Sequence, residues 1–422
     1  MSVTTHILPP IIPHYPPKTR MIDEWAKKAL FSRLKTIRDG QIQIVEQGQT
    51  YYFGELTERC PISVVIHVID PKFYSDIAFG GSIGAGEAYM AGYWYSDNLT
   101  SLIRVMACNL EVLDKMESGT AIITRPIQKF LHWLNRNTRS GSQRNIAAHY
   151  DLGNDFFRMM LDETMMYSCA IFTDLEMNLY DAQVHRLDVI CKKLDLKTGD
   201  HLLEIGTGWG GLAVHAARHY GCNVTTTTIS HEQYELAVQR VAESGLDDRV
   251  TVLLEDYRNL TGQYDKLVSI EMIEAVGLEN HSTYFSKCCE LLKPEGRMLI
   301  QAITIADQRY EQAKHSVDFI QKHIFPGGSL PSVTSMLNEI THHSNIRLFH
   351  LEDIGSHYAT TLRKWHENVK TNLSHIKEMG YSDTFLRMWD YYLCYCEGGF
   401  IENTISTVQM LLVKPDSKFS NI

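Results

Sequence analysis

The sequence predicts an α/β chain built on a mostly parallel sheet with helices on both faces. Two observations carry this reading. From residue 185 onward, strand-length apolar runs near 201–205, 222–229, 250–254, 265–270 and 297–304 alternate with helical spacing. The first run, His201-Leu202-Leu203-Glu204-Ile205, leads straight into Gly206-Thr207-Gly208-Trp209-Gly210-Gly211. Apolar helical spacing follows at Leu212, Val214, Ala216 and Ala217. Such a strand–turn–helix lets a bound group approach the backbone closely.

At 422 residues two domains are expected, and 44% apolar content supports packed cores. Residues 1–20 read as an extended or disordered arm, with Pro9, Pro10, Pro13, Pro16 and Pro17 in it. Residues 21–118 read as a small α+β unit. Ile42, Ile44, Tyr51 and Phe53 alternate around Gln47-Gly48 as a hairpin, and 62–70 alternates again. The glycines of 80–86 read as turns and close packing, with a ligand loop the alternative, and Asp97 or Asn98 caps a helix over about 99–113. The linker 119–144 is basic and amphipathic. Arg125, Lys129, Arg136, Arg139 and Arg144 occur with no acid before Asp151, interleaved with Ile122, Ile123, Ile127, Phe130, Leu131, Trp133 and Leu134. This pattern fits a helix lying on anionic lipid, and equally a helix docked on its own domain with a solvated basic face. Residues 145–415 hold the alternating strands and helices.

A net charge of −10 argues against nucleic acid as a partner. Nine cysteines at irregular spacing fit a reduced cytosolic protein. Cys394-Tyr395-Cys396 is too close for a zinc pair and has no second half, so no metal is expected. The N-terminus has no apolar core of signal-peptide length. No run approaches the roughly 18 apolar residues of a membrane span.

The glycine turn has two ligand readings. Gly206, Gly208 and Gly211 satisfy the G-x-G-x-x-G of dinucleotide binders, which wants an acid about 20 residues on for the ribose. The next strand, Cys222-Asn223-Val224-Thr225-Thr226-Thr227-Thr228-Ile229-Ser230, has none. Glu204 before the turn instead fits the acid-x-G-x-G-x-G form of S-adenosylmethionine binders.

Several segments together resemble one family. Asn145-Ile146-Ala147-Ala148-His149-Tyr150-Asp151-Leu152-Gly153-Asn154-Asp155-Phe156-Phe157 resembles a signature of cyclopropane-fatty-acid synthases and mycolic-acid methyltransferases. Tyr167-Ser168-Cys169-Ala170-Ile171-Phe172, Glu271-Met272-Ile273-Glu274-Ala275-Val276-Gly277, the stretch from Ile324 to Ser332, and His357-Tyr358-Ala359-Thr360-Thr361-Leu362 match in order. The resemblance covers roughly 140–415, and residues 20–120 resemble the lipid-associated N-terminal domain of longer bacterial members.

The resemblance implies a class I methyltransferase fold with a Rossmann-like seven-stranded sheet. It implies S-adenosylmethionine as donor and the cis double bond of an unsaturated acyl chain, carried on phospholipid, as acceptor. The product is a cyclopropane fatty acid, formed through a carbocation that bound bicarbonate deprotonates. Tyr167, Ser168, Glu204, Gly206, Thr207, Gly208, Gly210, Thr228, Ile229, Gln233, Glu255 and Asp256 are implied around the donor. Glu274, Tyr358, Gln301 and the N–H groups of Cys169 and Ile303 are implied around the bicarbonate. Gln301 replaces a histidine of many bacterial members, and Thr207 replaces their usual cysteine. Cys396 matches a cysteine often marked in the active site, although an alkene nucleophile needs no thiolate, and a structural role is the alternative. Rival readings are a methylene or methyl-branched product, a catalytically silent lipid-binding relative, and a Rossmann oxidoreductase. The expected setting is the cytoplasm, peripherally on the anionic inner face of the membrane, with a homodimer left open.

Overall fold

Two sheets organise the chain, seen in a computed structural model that describes residues 6–8, 19–117, 153–174 and 176–418. By their contacts these residues form two units. The first comprises the described residues of Met1–Leu134 with Ser316–Ile324 and Leu362–Thr404; the second comprises those of Asn135–His315, Phe325–Thr361 and Ile405–Ile422. This partition differs from the linear division expected near residue 145, because two later segments fold with the N-terminal part. The linker 119–144 and the motif stretch Asn145–Leu152 lie outside the described residues, as does most of the arm.

In the first unit, β1 (Gly40–Glu46) and β2 (Gln49–Glu55) form the hairpin, with Ile42 opposite Phe53 and Ile44 opposite Tyr51. Gln47 and Gly48 both take positive φ (47° and 80°), as a two-residue hairpin turn requires. With β3 (Ser63–Val68) and β4 (Trp94–Ser96) the sheet order is β2-β1-β3-β4. The glycines of 80–86 lie inside the helix Lys72–Met90 rather than in turns, with one break at Gly81 (φ 59°, ψ −140°). Close packing explains Gly84 and Gly86: a Cβ would stand 1.9 Å from the Asp76 carbonyl at the first and 2.4 Å from the Phe319 ring at the second. Asn98 caps the helix Leu99–Cys108 by accepting from the Ser101 N–H. Asp383–Ile401 packs on that helix, with Thr100 donating to Glu397 at 2.9 Å.

The second unit carries β5 (His201–Ile205), β6 (Asn223–Thr228), β7 (Val250–Leu254), β8 (Tyr264–Ile270), β9 (Leu292–Ile305), β10 (Arg347–Asp353) and β11 (Ile405–Val413). Their order is β10-β11-β9-β8-β5-β6-β7, and the neighbours from β9 through to β7 are parallel. Only β11 runs against its neighbours. Alternate residues face two cores. Leu203, Ile205, Leu267, Met298, Ile300 and Met410 enter one; Leu202, Val224, Val268, Leu299 and Leu411 enter the other. Burial on both faces is why these strands read as nearly continuous apolar runs. The chain leaves β5 toward β6 on one side, and β8 pairs on the other, so the sheet's switch point lies at the carboxyl ends of β5 and β8. No helix among the described residues is long and apolar enough to cross a membrane.

Candidate active site

The glycine turn follows β5 with left-handed φ at Gly206 (100°), Gly208 (52°) and Gly210 (83°) before the helix Gly211–Tyr220. Its amides are anchored, since the Gly206 and Thr207 N–H groups both donate to the Thr227 carbonyl at 3.0 Å. Packing closes the turn's flanks. A Cβ at Gly206 would stand 2.6 Å from Met272, and one at Gly211 would stand 2.6 Å from the Thr164 carbonyl. At Gly208 a Cβ would meet nothing within 4 Å. The backbone there faces open space.

Glu204 lies beneath the turn, not at its mouth. It is 2% exposed and bonded to the Thr226 hydroxyl at 2.6 Å, which in turn lies 2.8 Å from the Thr207 hydroxyl. Desolvation pushes its pKa up to about 8. A neutral Glu204 can donate to Thr226 and free that hydroxyl's proton for Thr207, so the carboxyl braces the turn from below.

The other expected donor-site residues gather at the ends of β6 and β7. The Thr228 hydroxyl donates to Gln233 Oε1 at 2.7 Å, and the Ser230 hydroxyl accepts the Gln233 N–H. Ile229 lies between them in sequence. Asp256 forms a bidentate pair with Arg258 (2.6 and 2.8 Å), while exposed Glu255 accepts from Asn259. The Tyr167 ring packs between Phe157 and Phe325, and the Ser168 hydroxyl is buried without a hydrogen-bond partner.

The residues expected around an anion gather past the end of β8, but around a carboxylate of the chain. Glu271 Oε1 accepts from the Cys169 N–H at 3.0 Å and from Gln301 Nε2 at 2.8 Å. Glu271 Oε2 accepts from the Tyr358 hydroxyl at 2.7 Å. Glu274 Oε1 accepts from the Ile303 N–H at 2.5 Å, and its Oε2 is buried with no partner. Gln409 Nε2 donates to Gln301 Oε1 at 2.9 Å, which turns the Gln301 amide nitrogen toward Glu271.

Beside this cluster the Arg186 side chain is wholly buried. Its Nε donates to Gln183 at 3.0 Å, while Nη1 and Nη2 find no partner. Desolvation lowers its pKa, and Glu271 leads the charges that oppose the fall. Desolvation raises Glu271, against the pull of Cys169, Tyr358 and Gln301. Desolvation and then the Glu271 charge push Glu274 up to about 8. Burial raises the Cys169 thiol well above its ordinary range, so its N–H, not a thiolate, is what it offers.

Cys396 belongs to the first unit, on Asp383–Ile401, and desolvation raises its thiol. The same helix carries Asp390, bonded by His366 at 2.6 Å and Tyr89 at 2.5 Å, a closed structural knot. Sequence reading singled out neither Glu271 nor Arg186. The one available signal for Glu271 was a second acid three residues before Glu274, at a strand's carboxyl end.

A family model described as mycolic acid cyclopropane synthetase matches residues 137–410. Tuberculostearic acid methyltransferase UfaA1 of Mycobacterium tuberculosis is 40% identical over 379 residues, covering 86% of this chain and 85% of that protein. Cyclopropane-fatty-acyl-phospholipid synthase of Escherichia coli is 39% identical over 372 residues, covering 85% and 91%. Among solved structures, the mycolic acid cyclopropane synthase CmaA1 complexed with SAH and CTAB superposes with a TM-score of 0.60 at 31% identity. It covers 64% of this chain and 98% of that one.

Glu204 makes a stability prediction. Its folded pKa lies near 8 against an ordinary 4.5, so the folded state keeps a proton that the unfolded chain releases. Its contribution to folding is therefore greatest below pH 4.5 and is lost as the pH rises toward 8. Denaturation of parent and Glu204→Gln from about pH 5 to pH 8 should show the parent losing stability relative to the variant. A difference independent of pH would place Glu204 in the ordinary carboxylate range.

Proposed function

The chain belongs to the mycolic acid cyclopropane synthetase family, an S-adenosylmethionine-dependent methyltransferase family, and from that premise we propose its substrate and product. It methylates the cis double bond of an unsaturated acyl chain carried on phospholipid and yields a cyclopropane fatty acid. One observation carries this reading: a carboxylate, an amide and a phenol converge past β8, on the strand paired with the one that feeds the glycine turn. Methylation of an unactivated alkene leaves a cation on an apolar chain. A cluster able to stabilise positive charge and accept a proton is what such a reaction requires.

S-adenosylmethionine fits the turn, because the backbone at Gly208 faces open space. When bound, it supplies an electrophilic methyl group. Gly206, Thr207, Gly208 and Gly210 let it approach, with Glu204 bracing them from beneath. Tyr167 and Ser168 would close over it, Thr228, Ile229 and Gln233 would hold the ribose and adenine, and Glu255 and Asp256 would serve the adenine. The apolar walls around Tyr167 keep water from the cation.

Bicarbonate does not fit the residues as they stand. The Cys169 N–H, Gln301 and Tyr358 already serve Glu271, and the Ile303 N–H serves Glu274.

A second reading keeps donor and acceptor but ends in a methyl-branched or methylene product. Gln301 favours it, since an amide cannot become a cation where many family members have histidine. The methyltransferase name of the 40% identical relative agrees. For both readings the expected setting is the cytoplasmic face of an anionic membrane, approached through the basic segment 119–144.

Three measurements test these assignments. Incubation with dioleoyl phosphatidylglycerol vesicles and methyl-labelled donor should yield label in a cyclopropane ring by mass and NMR. Label in an acyclic chain would select the second reading, and no transfer would refute both. Gly208→Ala should lose donor affinity in calorimetry, with its melting temperature lowered only by the strain of a Cβ at φ 52°, whereas Gly211→Ala should lower the melting temperature without that strain, through its clash at Thr164. Unchanged affinity in Gly208→Ala would move the donor elsewhere. Reversal of Arg136 and Arg139 to Glu should weaken binding to anionic vesicles, as high salt should. Equal binding by variant and parent at every salt concentration would deny this segment the contact.

A further inference from the structure

We propose that Glu271 is the catalytic base, its carboxylate standing where the family resemblance puts a bound anion. The inference rests on the methyl-transfer reading above and adds the identity of the group that removes the proton.

Three features converge on it. First, the donors are taken. Cys169 N–H, Gln301 and Tyr358, three of the groups expected to hold bicarbonate, all donate to Glu271 at 2.7–3.0 Å. A carboxylate offers about four lone-pair positions, so three donors leave one free to accept a proton. Glu271 also keeps part of its surface exposed, unlike Gln301, Cys169 and Tyr358 around it.

Second, the charges leave no place for another anion. Glu271 and Glu274 lie three residues apart and the Glu271 charge opposes ionisation of Glu274, with Arg186 the buried cation of the cluster. Glu274, pushed up to about 8, keeps its proton at neutral pH, while the three donors on Glu271 favour the negative charge there. Bicarbonate would add a second anion with the same donors to share.

Third, the backbone at Glu271 is left-handed (φ 49°), a conformation that glycine adopts freely and a glutamate does not. Its N–H is fixed by the Gln301 carbonyl at 2.7 Å. The strain is held at the position that brings the carboxylate to the donors.

The step balances with groups already named. Transfer of the methyl group to one alkene carbon leaves the positive charge on its neighbour. A C–H bond of the transferred carbon then breaks. Its electron pair forms the third C–C bond of the ring, and its proton passes to a Glu271 oxygen. Gln301, held by Gln409, is a positioning residue in this account, because it orients the carboxylate without touching the substrate.

The test uses the full chain, dioleoyl phosphatidylglycerol vesicles and labelled S-adenosylmethionine. Glu271→Gln keeps the size of the side chain but cannot take the proton. Its turnover should fall at least about a hundredfold, within the range for loss of a general base, while donor affinity in calorimetry stays parental. Glu271→Gly keeps the left-handed backbone and vacates the anion position, so its turnover should return on adding bicarbonate. The parent should be indifferent to bicarbonate, which holds even where Glu271→Gln folds poorly. Parental turnover in Glu271→Gln overturns the proposal. So does a parent that stalls in bicarbonate-depleted buffer and recovers when bicarbonate is restored. A parent that transfers no methyl group to the vesicles overturns the proposed function, and this inference with it. A working parent with an unimpaired Glu271→Gln overturns this inference alone.

Discussion

The site is organised by one carboxylate and the three donors that close on it. Glu271 receives an amide N–H from Cys169, an amide nitrogen from Gln301 and a phenol from Tyr358. Charge-assisted bonds of this kind are about twice as strong as neutral ones, and they strengthen where water is excluded. They offset the cost of holding a carboxylate in a desolvated setting and in a left-handed backbone conformation. The neighbouring groups adjust to this charge. Glu274 keeps its proton, Arg186 lends its field from a fully buried position, and Gln409 fixes which end of Gln301 faces the acid.

Topology brings these groups together. β5 and β8 are hydrogen-bonded neighbours, with Glu204 opposite Val268, so the glycine turn and Glu271 leave adjacent strands in the same direction. β9 pairs next to β8 and places Gln301 opposite Ile270, one residue before Glu271. β11 then places Gln409 opposite Gln301. Three strands thus set a line of side chains whose spacing is dictated by sheet register, the stiffest ruler that a fold offers. The glycine turn and Glu271 thus stand at the same end of adjacent strands.

Much of this was legible in the sequence, for physical reasons that also explain the failures. β5 to β9 are buried on both faces and read as apolar runs. β10 is a largely exposed edge, and Arg-Leu-Phe-His-Leu-Glu-Asp has no clean period. β11 joins the sheet only after a long helical stretch, so its partner could not be inferred locally. The glycines of 80–86 read as turns because glycine disfavours helix by about 1 kcal/mol. Packing against Phe319 overrides that preference at Gly86. The later segments that join the first unit were invisible for the same reason, since Thr100 meets Glu397 across 297 positions. Glu274, Tyr358, Gln301, Cys169 and Ile303 were legible through family motifs. Glu271 was not, because an acid at a strand end reads as solvated until Gln301 and Tyr358, 30 and 87 residues away, are seen to close on it.

The most direct measurement is a crystal structure of the protein with S-adenosylhomocysteine, grown and soaked in bicarbonate. The account predicts the Glu271 carboxylate bonded to Cys169, Gln301 and Tyr358, with no separate anion between them. Density for bicarbonate on those three donors, with the Glu271 side chain turned away, would contradict it.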